Sequence, residues 1–303
     1  MTFQEQYDQY VATIEEGLCA LMPQEAAFCA DGCIPQLLNE AMRYSLLAGG
    51  KRVRPVLMLA AAKMLGVSTK EVLTSACALE MIHTYSLIHD DLPGMDDDDY
   101  RRGKPTNHKV YGAGQAILAG DGLLNYAYEC MLADALNYPE NLRGHLTAAM
   151  HIAQRAGVTG MVAGQCIDLQ CENGAHTSIE TLAYIHQHKT ADLMTAPLEA
   201  ACDLAGASDE ARCALLTYGR NIGLAFQIED DLLDIEGDSR TLGKQTGMDA
   251  QRGKMTWPAL YGVEESRVML EGLLHDARDS LDFLGDRAAF LHELIDFLRK
   301  RKN

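Results

Sequence analysis

The sequence predicts an all-α protein, a helical bundle built by residues 1–303 as one domain. Three features predict it. No segment alternates apolar and polar residues as a half-buried strand does. Aromatic residues are only 6% and prolines only 8, against 48% hydrophobic residues, a balance that favours helices over a β-sandwich. Long stretches also repeat apolar residues at helical spacing.

The elements follow in order. Residues 3–20 are amphipathic, and so are 34–48, where Gly49-Gly50 supplies a helix stop. A helix over 53–65 has Pro55 in its first turn, where the missing N–H costs nothing. Helical runs follow at 69–91, 113–136, 141–158, 178–205 and 209–235, with two more at 259–281 and 286–300. The stretches 73–91 and 221–235 are apolar on most faces, which places them at the centre of a bundle.

Composition excludes several classes. The formal net charge of −17 argues against a nucleic-acid partner. Nine cysteines, an odd number with no Cys-x-x-Cys, read as reduced thiols. The start, Met-Thr-Phe-Gln-Glu-Gln-Tyr, has neither the basic nor the apolar part of a signal peptide. The longest apolar run, Pro55 to Gly66, contains Lys63 and falls short of the ~18–20 residues of a membrane span. The expected location is cytoplasmic, without stable membrane insertion.

Two aspartate clusters carry the chemistry. Gln227, Asp230, Asp231 and Asp234 stand at i, i+3, i+4 and i+7, one stripe of an otherwise apolar helix. Such a stripe repels itself unless cations bridge it; the bland alternative is a solvated acidic face. The other cluster is Asp90-Asp91-Leu92-Pro93-Gly94-Met95-Asp96. Pro93 and Gly94 end its helix, so Asp96 returns from a turn. His83 shares a face with Asp90. The following Asp96–Asp99 run could also be a charged surface loop. An EF-hand is excluded, because its alternating ligands and its glycine are missing. Carboxylate oxygens favour hard cations, and Mg²⁺ shares itself between few carboxylates, water and phosphate. Two clusters around one cavity therefore suit a diphosphate with Mg²⁺ between.

Basic residues complement them. Gly49-Gly50-Lys51-Arg52-Val53-Arg54-Pro55 puts three cations and backbone amides at a helix start, an anion site. Lys189-Thr190 interrupts an apolar helix, and Lys244 and Lys254 follow the second cluster. A nucleotide P-loop is rejected: five residues, not four, separate Gly237 from Gly243, and Gln245 stands in place of Ser/Thr. Gln165 and Asp168 form an i, i+3 pair that reads equally as a hydrogen-bonded core pair or as support for a site. Most histidines need no special reading.

These motifs, in order, resemble the trans-isoprenyl diphosphate synthases, and the bacterial farnesyl type among them. The resemblance rests on Gly-Gly-Lys-Arg-Val-Arg-Pro and on the run from His89-Asp90-Asp91 to Arg101-Arg102-Gly103-Lys104-Pro105-Thr106. Lys189-Thr190 and Phe226-Gln227-Ile228-Glu229-Asp230-Asp231-Leu232-Leu233-Asp234 complete it. Four residues between Asp91 and Asp96 match the bacterial and plant type. The resemblance implies an all-α bundle around a deep central cavity, a homodimer, and Mg²⁺ as cofactor with Mn²⁺ as a substitute. Asp90, Asp91, Asp96 and Asp230, with Asp231 and Asp234 in support, would hold the metal. Lys51, Arg54, His83 and Arg102 would hold isopentenyl diphosphate. Arg101, Lys189, Thr190, Gln227, Lys244 and Lys254 would hold the allylic diphosphate. Asp90, Asp91, Asp230, Lys189 and Arg101 would carry catalysis.

Product length is expected to be farnesyl, with geranylgeranyl or geranyl diphosphate as alternatives. In the resembling family an aromatic five residues before the first Asp, here Tyr85 with Ser86 next to it, forms the floor of the cavity. A rise of ~1.5 Å per residue puts Tyr85 about 7.5 Å below Asp90, although the helical wheel turns Ser86, not Tyr85, toward the Asp90 face. A terpene cyclase is disfavoured by Lys51, Arg54 and the intact second cluster. A non-catalytic regulatory subunit is disfavoured because neither cluster is lost. The basic end, Arg299 to Lys302, reads as a solvated helix end or as a flap over bound diphosphates.

Overall fold

The computed structural model describes residues 1–22, 33–172, 178–236 and 255–299. It is almost entirely helical, as the sequence predicts. The chain divides into two compact units, Met1–Ala149 and Met150–Asn303. Among the described residues no helix is long and apolar enough to cross a membrane.

The first unit begins with α1 (Phe3–Leu21), closed at its start by a capping box between Thr2 and Glu5. Helix α2 (Gln36–Leu46) ends with Leu47 as its cap, just before the helix-ending Gly49-Gly50 of the sequence, which have positive φ angles of 80° and 140°. Helix α3 (Val53–Met64) holds Pro55 in its first turn and buries nearly every residue. Helix α4 (Thr69–Asp90) is capped by Ser68 and packs against α1, α2, α3 and α6 (Ala113–Ala135), which explains its lack of a polar face. Val72, Leu79, Met81 and Ile82 are fully enclosed.

Between α4 and α6 the expectation of no strands fails over four residues. Tyr100–Arg101 (β1) and Lys104–Pro105 (β2) pair antiparallel around Arg102-Gly103, both at positive φ. A two-residue turn of this kind suits a hairpin, but strands this short leave no alternation to read. The one-turn helix α5 (Asn107–Tyr111) follows. Helix α7 (Leu142–Ala156) contains the boundary between the units.

In the second unit α8 (Met161–Glu172) forms where the sequence pattern picked out no helix. The single helix expected over 178–205 is three pieces. They are α9 (Ile179–Ile185), a π-turn at His186–Ala191 and α10 (Asp192–Ala205), which is almost wholly buried. Helix α11 (Asp209–Glu236) packs on α10 and on α13 (Val263–Ser280). The run expected over 259–281 breaks at Gly262, φ 85°, into α12 (Trp257–Tyr261) and α13. The last helix, α14 (Ala289–Arg299), is anchored by Tyr218, whose buried hydroxyl donates to the Leu291 carbonyl at 2.8 Å. Of the basic end, Arg299 pairs with Glu271 at 2.9 Å on the surface, and the remaining residues lie outside the described ones.

Candidate active site

In the first unit the candidate residues gather where α4 ends. Asp91 is its C-terminal cap, and Pro93-Gly94 turns the chain so that the Asp96 N–H donates to the Asp90 carbonyl at 2.8 Å. The expected return of Asp96 beside Asp90 is therefore present in the backbone. Asp91 is 3% exposed and is gripped by Arg101, whose Nε donates to both carboxylate oxygens at 2.8 and 3.0 Å. Burial raises the Asp91 carboxyl above its ordinary pKa, while Arg101 pulls it back. The rest of the acidic run is not equivalent. Asp99 pairs with Lys109 at 2.7 Å on the surface, the bland reading, and the Asp98 carbonyl accepts from Thr106 Oγ1 at 2.7 Å.

The glycine-flanked basic loop needs one correction. The sequence put three cations at an anion site, but Arg52 turns inward, at φ 51°. It bonds Glu15 at 2.7 Å, Glu80 at 2.6 Å and the Leu46 carbonyl at 2.7 Å. Arg52 is thus a buried structural ion pair, and Lys51 and Arg54 on either side face less enclosed surroundings. The Lys51 carbonyl is pinned by the Tyr7 hydroxyl at 2.6 Å. Arg102 joins this loop: its guanidinium donates to the Gly49 carbonyl, and a Cβ on Gly50 would lie 2.8 Å from that guanidinium. His83 completes the group. Burial and the positive field of Arg54, Arg102, Arg101 and Arg52 hold its imidazole well below its usual pKa, so it is neutral at pH 7.

Helix α4 also locates the two residues tied to product length. His83, Ser86, Leu87 and Asp90 form its half-exposed stripe, and the Ser86 hydroxyl donates to the His83 carbonyl at 2.9 Å. Tyr85 is off this stripe, 7% exposed, with its ring edge-on to His89 at 5.6 Å. Burial raises its phenol to about 12. A small pocket of about 30 Å³ beside Asp91 is bounded by Tyr44, Thr84, Ile88, Arg101 and Asn107.

In the second unit the candidate residues are built around the π-turn. A π-turn carries one residue more than an α-turn and is frequent at functional sites. Gly164 of α8 and Gly223 of α11 make room for it. A Cβ on Gly164 would lie 2.2 Å from the Lys189 nitrogen, and one on Gly223 2.4 Å from the Ala191 Cα. The turn presents Lys189 and Thr190 side by side. Lys189 Nζ bonds Asp168 at 2.5 Å, so the i, i+3 pair of α8 supports the site through Asp168. Thr190 Oγ1 donates to Gln227 Oε1 at 2.8 Å, and Gln227 Nε2 donates to Asp231 at 3.0 Å.

Asp231 is 3% exposed, and its second oxygen accepts the Trp257 backbone N–H at 3.1 Å. Asp230 is half-buried and Asp234 buried on the same stripe. Lys189, Thr190, Gln227 and Asp231 border a cavity of about 90 Å³, with Asp168, His186 and Thr256 on its wall. His186 is a site residue that the sequence reading missed. It accepts the indole N–H of Trp257 at 2.5 Å, and burial lowers its pKa to about 4. Its spacing of three from Lys189 was the available signal. Lys244 and Lys254 lie outside the described residues.

Among the described residues no three His, Cys, Asp or Glu side chains form a ready metal cage. The donors nevertheless fit Mg²⁺. They are hard carboxylate oxygens, with Asp96 folded back beside Asp90, and Mg²⁺ needs only one or two carboxylates when water and phosphate supply the rest.

The polyprenyl synthetase family model matches residues 35–282, which include the candidate residues of both units. The chain belongs to the polyprenyl synthetase family. As a member it is a prenyltransferase. It is 46% identical over 269 residues to a geranylgeranyl diphosphate synthase of Cyanophora paradoxa, covering 89% of each chain. It is 45% identical over 271 residues to a chloroplastic geranylgeranyl pyrophosphate synthase of Capsicum annuum, covering 89% of this chain and 73% of the other. An FPP/GFPP synthase from Zymomonas mobilis superposes with a TM-score of 0.85 at 33% identity, covering 97% of this chain and 98% of that one. A geranyltransferase from Legionella pneumophila gives 0.86 at 33% identity, covering 99% and 98%. The two relatives of higher identity bear the geranylgeranyl name.

Proposed function

We propose that this polyprenyl synthetase condenses isopentenyl diphosphate with allylic diphosphates, and that geranylgeranyl diphosphate is its main product. The observation that carries the reading is the polar wall around the π-turn. Lys189, Thr190, Gln227 and Asp231 share one cavity on otherwise apolar helices. A cation, a hydroxyl and an amide at one rim suit a diphosphate, whose charge they would meet without the cost of reorganising. In the first unit Lys51, Arg54, Arg102 and neutral His83 form the matching anion site, taken here as that of isopentenyl diphosphate.

The reaction breaks the allylic C–O bond, and its electron pair leaves with the diphosphate. Lys189 and the Thr190–Gln227 pair hold that leaving group as its charge grows. Asp90 and Asp96 in the first unit, and Asp230 in the second, are the carboxylates that would hold Mg²⁺, which would supply positive charge to the departing diphosphate. The isopentenyl double bond supplies the electrons of the new C–C bond, and a proton then passes to the released diphosphate. Arg54 and Lys51 orient the isopentenyl diphosphate by its charge. The buried apolar helices exclude water that would quench the cationic carbon.

Farnesyl diphosphate is the second reading, favoured by one observation: a buried aromatic, Tyr85, five residues before Asp90. One incubation tests both readings. The protein, Mg²⁺, labelled isopentenyl diphosphate and dimethylallyl diphosphate should release diphosphate and yield a labelled C20 chain on chromatography. A product that stops at C15 supports the second reading. Absence of chain growth overturns both.

A further inference from the structure

We infer that Asp192, held between Arg155 and His188, is a positioning residue that fixes the π-turn carrying Lys189 and Thr190. The inference rests on the reading that these two residues bind the allylic diphosphate, and it adds residues that no motif of the chain contains.

Asp192 begins α10 immediately after the π-turn and is 3% exposed. A buried carboxylate is tolerated only where its lone pairs are used. Here they are. Arg155 Nη1 of α7 donates to one oxygen at 2.6 Å, and His188 Nδ1 of the π-turn donates to the other at 2.7 Å. Gln187 Nε2 adds a weaker contact at 3.5 Å. Arg155 is itself fixed, because its Nε donates to Glu199 at 2.9 Å, one further stretch along α10. The clamp therefore ties the body of α10, through one guanidinium and one carboxylate, to the residue just before Lys189.

The physical need for such a clamp is local. A π-turn is rare and confined mostly to single turns inside α-helices, so its persistence here calls for surroundings that hold it. Gly164 and Gly223 give it space but no bonds. Trp257 fixes its first residue, His186, through the indole N–H. The Asp192 carboxylate fixes its later half. If that half relaxed, Lys189 and Thr190 would rotate away from Asp168 and Gln227, although both side chains would still be present.

The test compares Asp192→Asn, Arg155→Lys and Arg155→Gln with wild type, together with the double variant Arg155→Gln/Asp192→Asn. Thermal melts, steady-state kinetics for each substrate, and hydrogen exchange of the 186–191 amides are measured on all of them. Misplacing a substrate-orienting group by about 1 Å costs up to about 100-fold in rate, so kcat/KM for the allylic substrate should fall about 10- to 100-fold in Asp192→Asn. The KM for isopentenyl diphosphate should stay unchanged, Arg155→Lys should restore part of the loss seen in Arg155→Gln, and the double variant should be no worse than either single one. Amide exchange over 186–191 should accelerate. A lowered melting temperature with wild-type kinetic constants and unchanged exchange at 186–191 would overturn the clamp. If wild type shows no condensation at all, the proposed function fails, and exchange at 186–191 still decides the clamp. If Asp192→Asn does not fold, Arg155→Lys and Arg155→Gln carry the same comparison.

Discussion

Arg101 Nε lies 2.8 and 3.0 Å from the two carboxylate oxygens of Asp91, and its Nη2 lies 2.7 Å from the first of them. One aspartate of the first cluster is thus neutralised by the arginine beside it. Two carboxylates adjacent in sequence, Asp90 and Asp91, consequently differ in chemistry: Asp91 is buried with its partner, and Asp90 stays on the half-exposed stripe.

Breaking this pair should show first in stability. Arg101→Ala leaves Asp91 as a buried carboxylate without its guanidinium, at a cost of about 1–3 kcal/mol because Arg101 is itself a third exposed. Thermal or urea melts of the metal-free protein measure it. A variant as stable as wild type would mean that water compensates Asp91 fully.

The acidic residues should separate sharply in activity. Asp90→Ala and Asp230→Ala should each lower kcat by orders of magnitude in a folded protein, since each removes charge that stabilises the departing diphosphate. Asp99→Ala, which loses only a surface pair with Lys109, should leave turnover unchanged. Equal effects of Asp90→Ala and Asp99→Ala would show that the acidic run acts as a diffuse field.

Acid should destabilise the protein early. His83 and His186 both have folded pKa values below the ordinary 6.5, through burial and, for His83, the surrounding arginines. A base with a depressed folded pKa binds its proton more readily when unfolded. Stability is therefore intact above about pH 6.5 and falls as pH drops below it, down to about 4 for His186. The His186 contribution alone is on the order of 3 kcal/mol by pH 4. Denaturation curves from about pH 7.5 downward should show the loss, with a shallower slope for His83→Gln. Flat stability between pH 6.5 and 5 would contradict it.

Tyr85 separates the two product readings. It packs edge-on against His89 off the open stripe of α4. With geranylgeranyl diphosphate as product, Tyr85→Ala should cost about 2–5 kcal/mol of stability and leave C20 as the main chain length. A wild type that stops at C15, with Tyr85→Ala lengthening the chain, would instead make Tyr85 the floor.

Local signals were legible in the sequence, and long-range ones were not. Pro93-Gly94 ends α4 and returns Asp96 because the chain geometry at those residues is local. Gly49-Gly50 stops α2 for the same reason. Which of Lys51, Arg52 and Arg54 turns inward depends on Glu15 and Glu80, which arrive from elsewhere in the chain, so the three looked alike. The π-turn needs Gly164 and Gly223 beside it, and the periodicity of 178–205 alone reads as one helix. His186 gains its role from Trp257, 71 residues away. Spacing on α11 put Asp230, Asp231 and Asp234 on one stripe, but it could not show Asp231 engaged by Gln227 and the Trp257 N–H.

The most direct measurement is the Michaelis constant for each substrate in Arg54→Ala and Lys189→Ala, because the proposal assigns one diphosphate to each unit. A charge-assisted contact is worth about 1.5–3 kcal/mol, or roughly 10- to 150-fold in affinity. Arg54→Ala should raise the constant for isopentenyl diphosphate by that factor and spare the allylic substrate, and Lys189→Ala should do the reverse. Equal losses for both substrates in either variant would contradict the assignment.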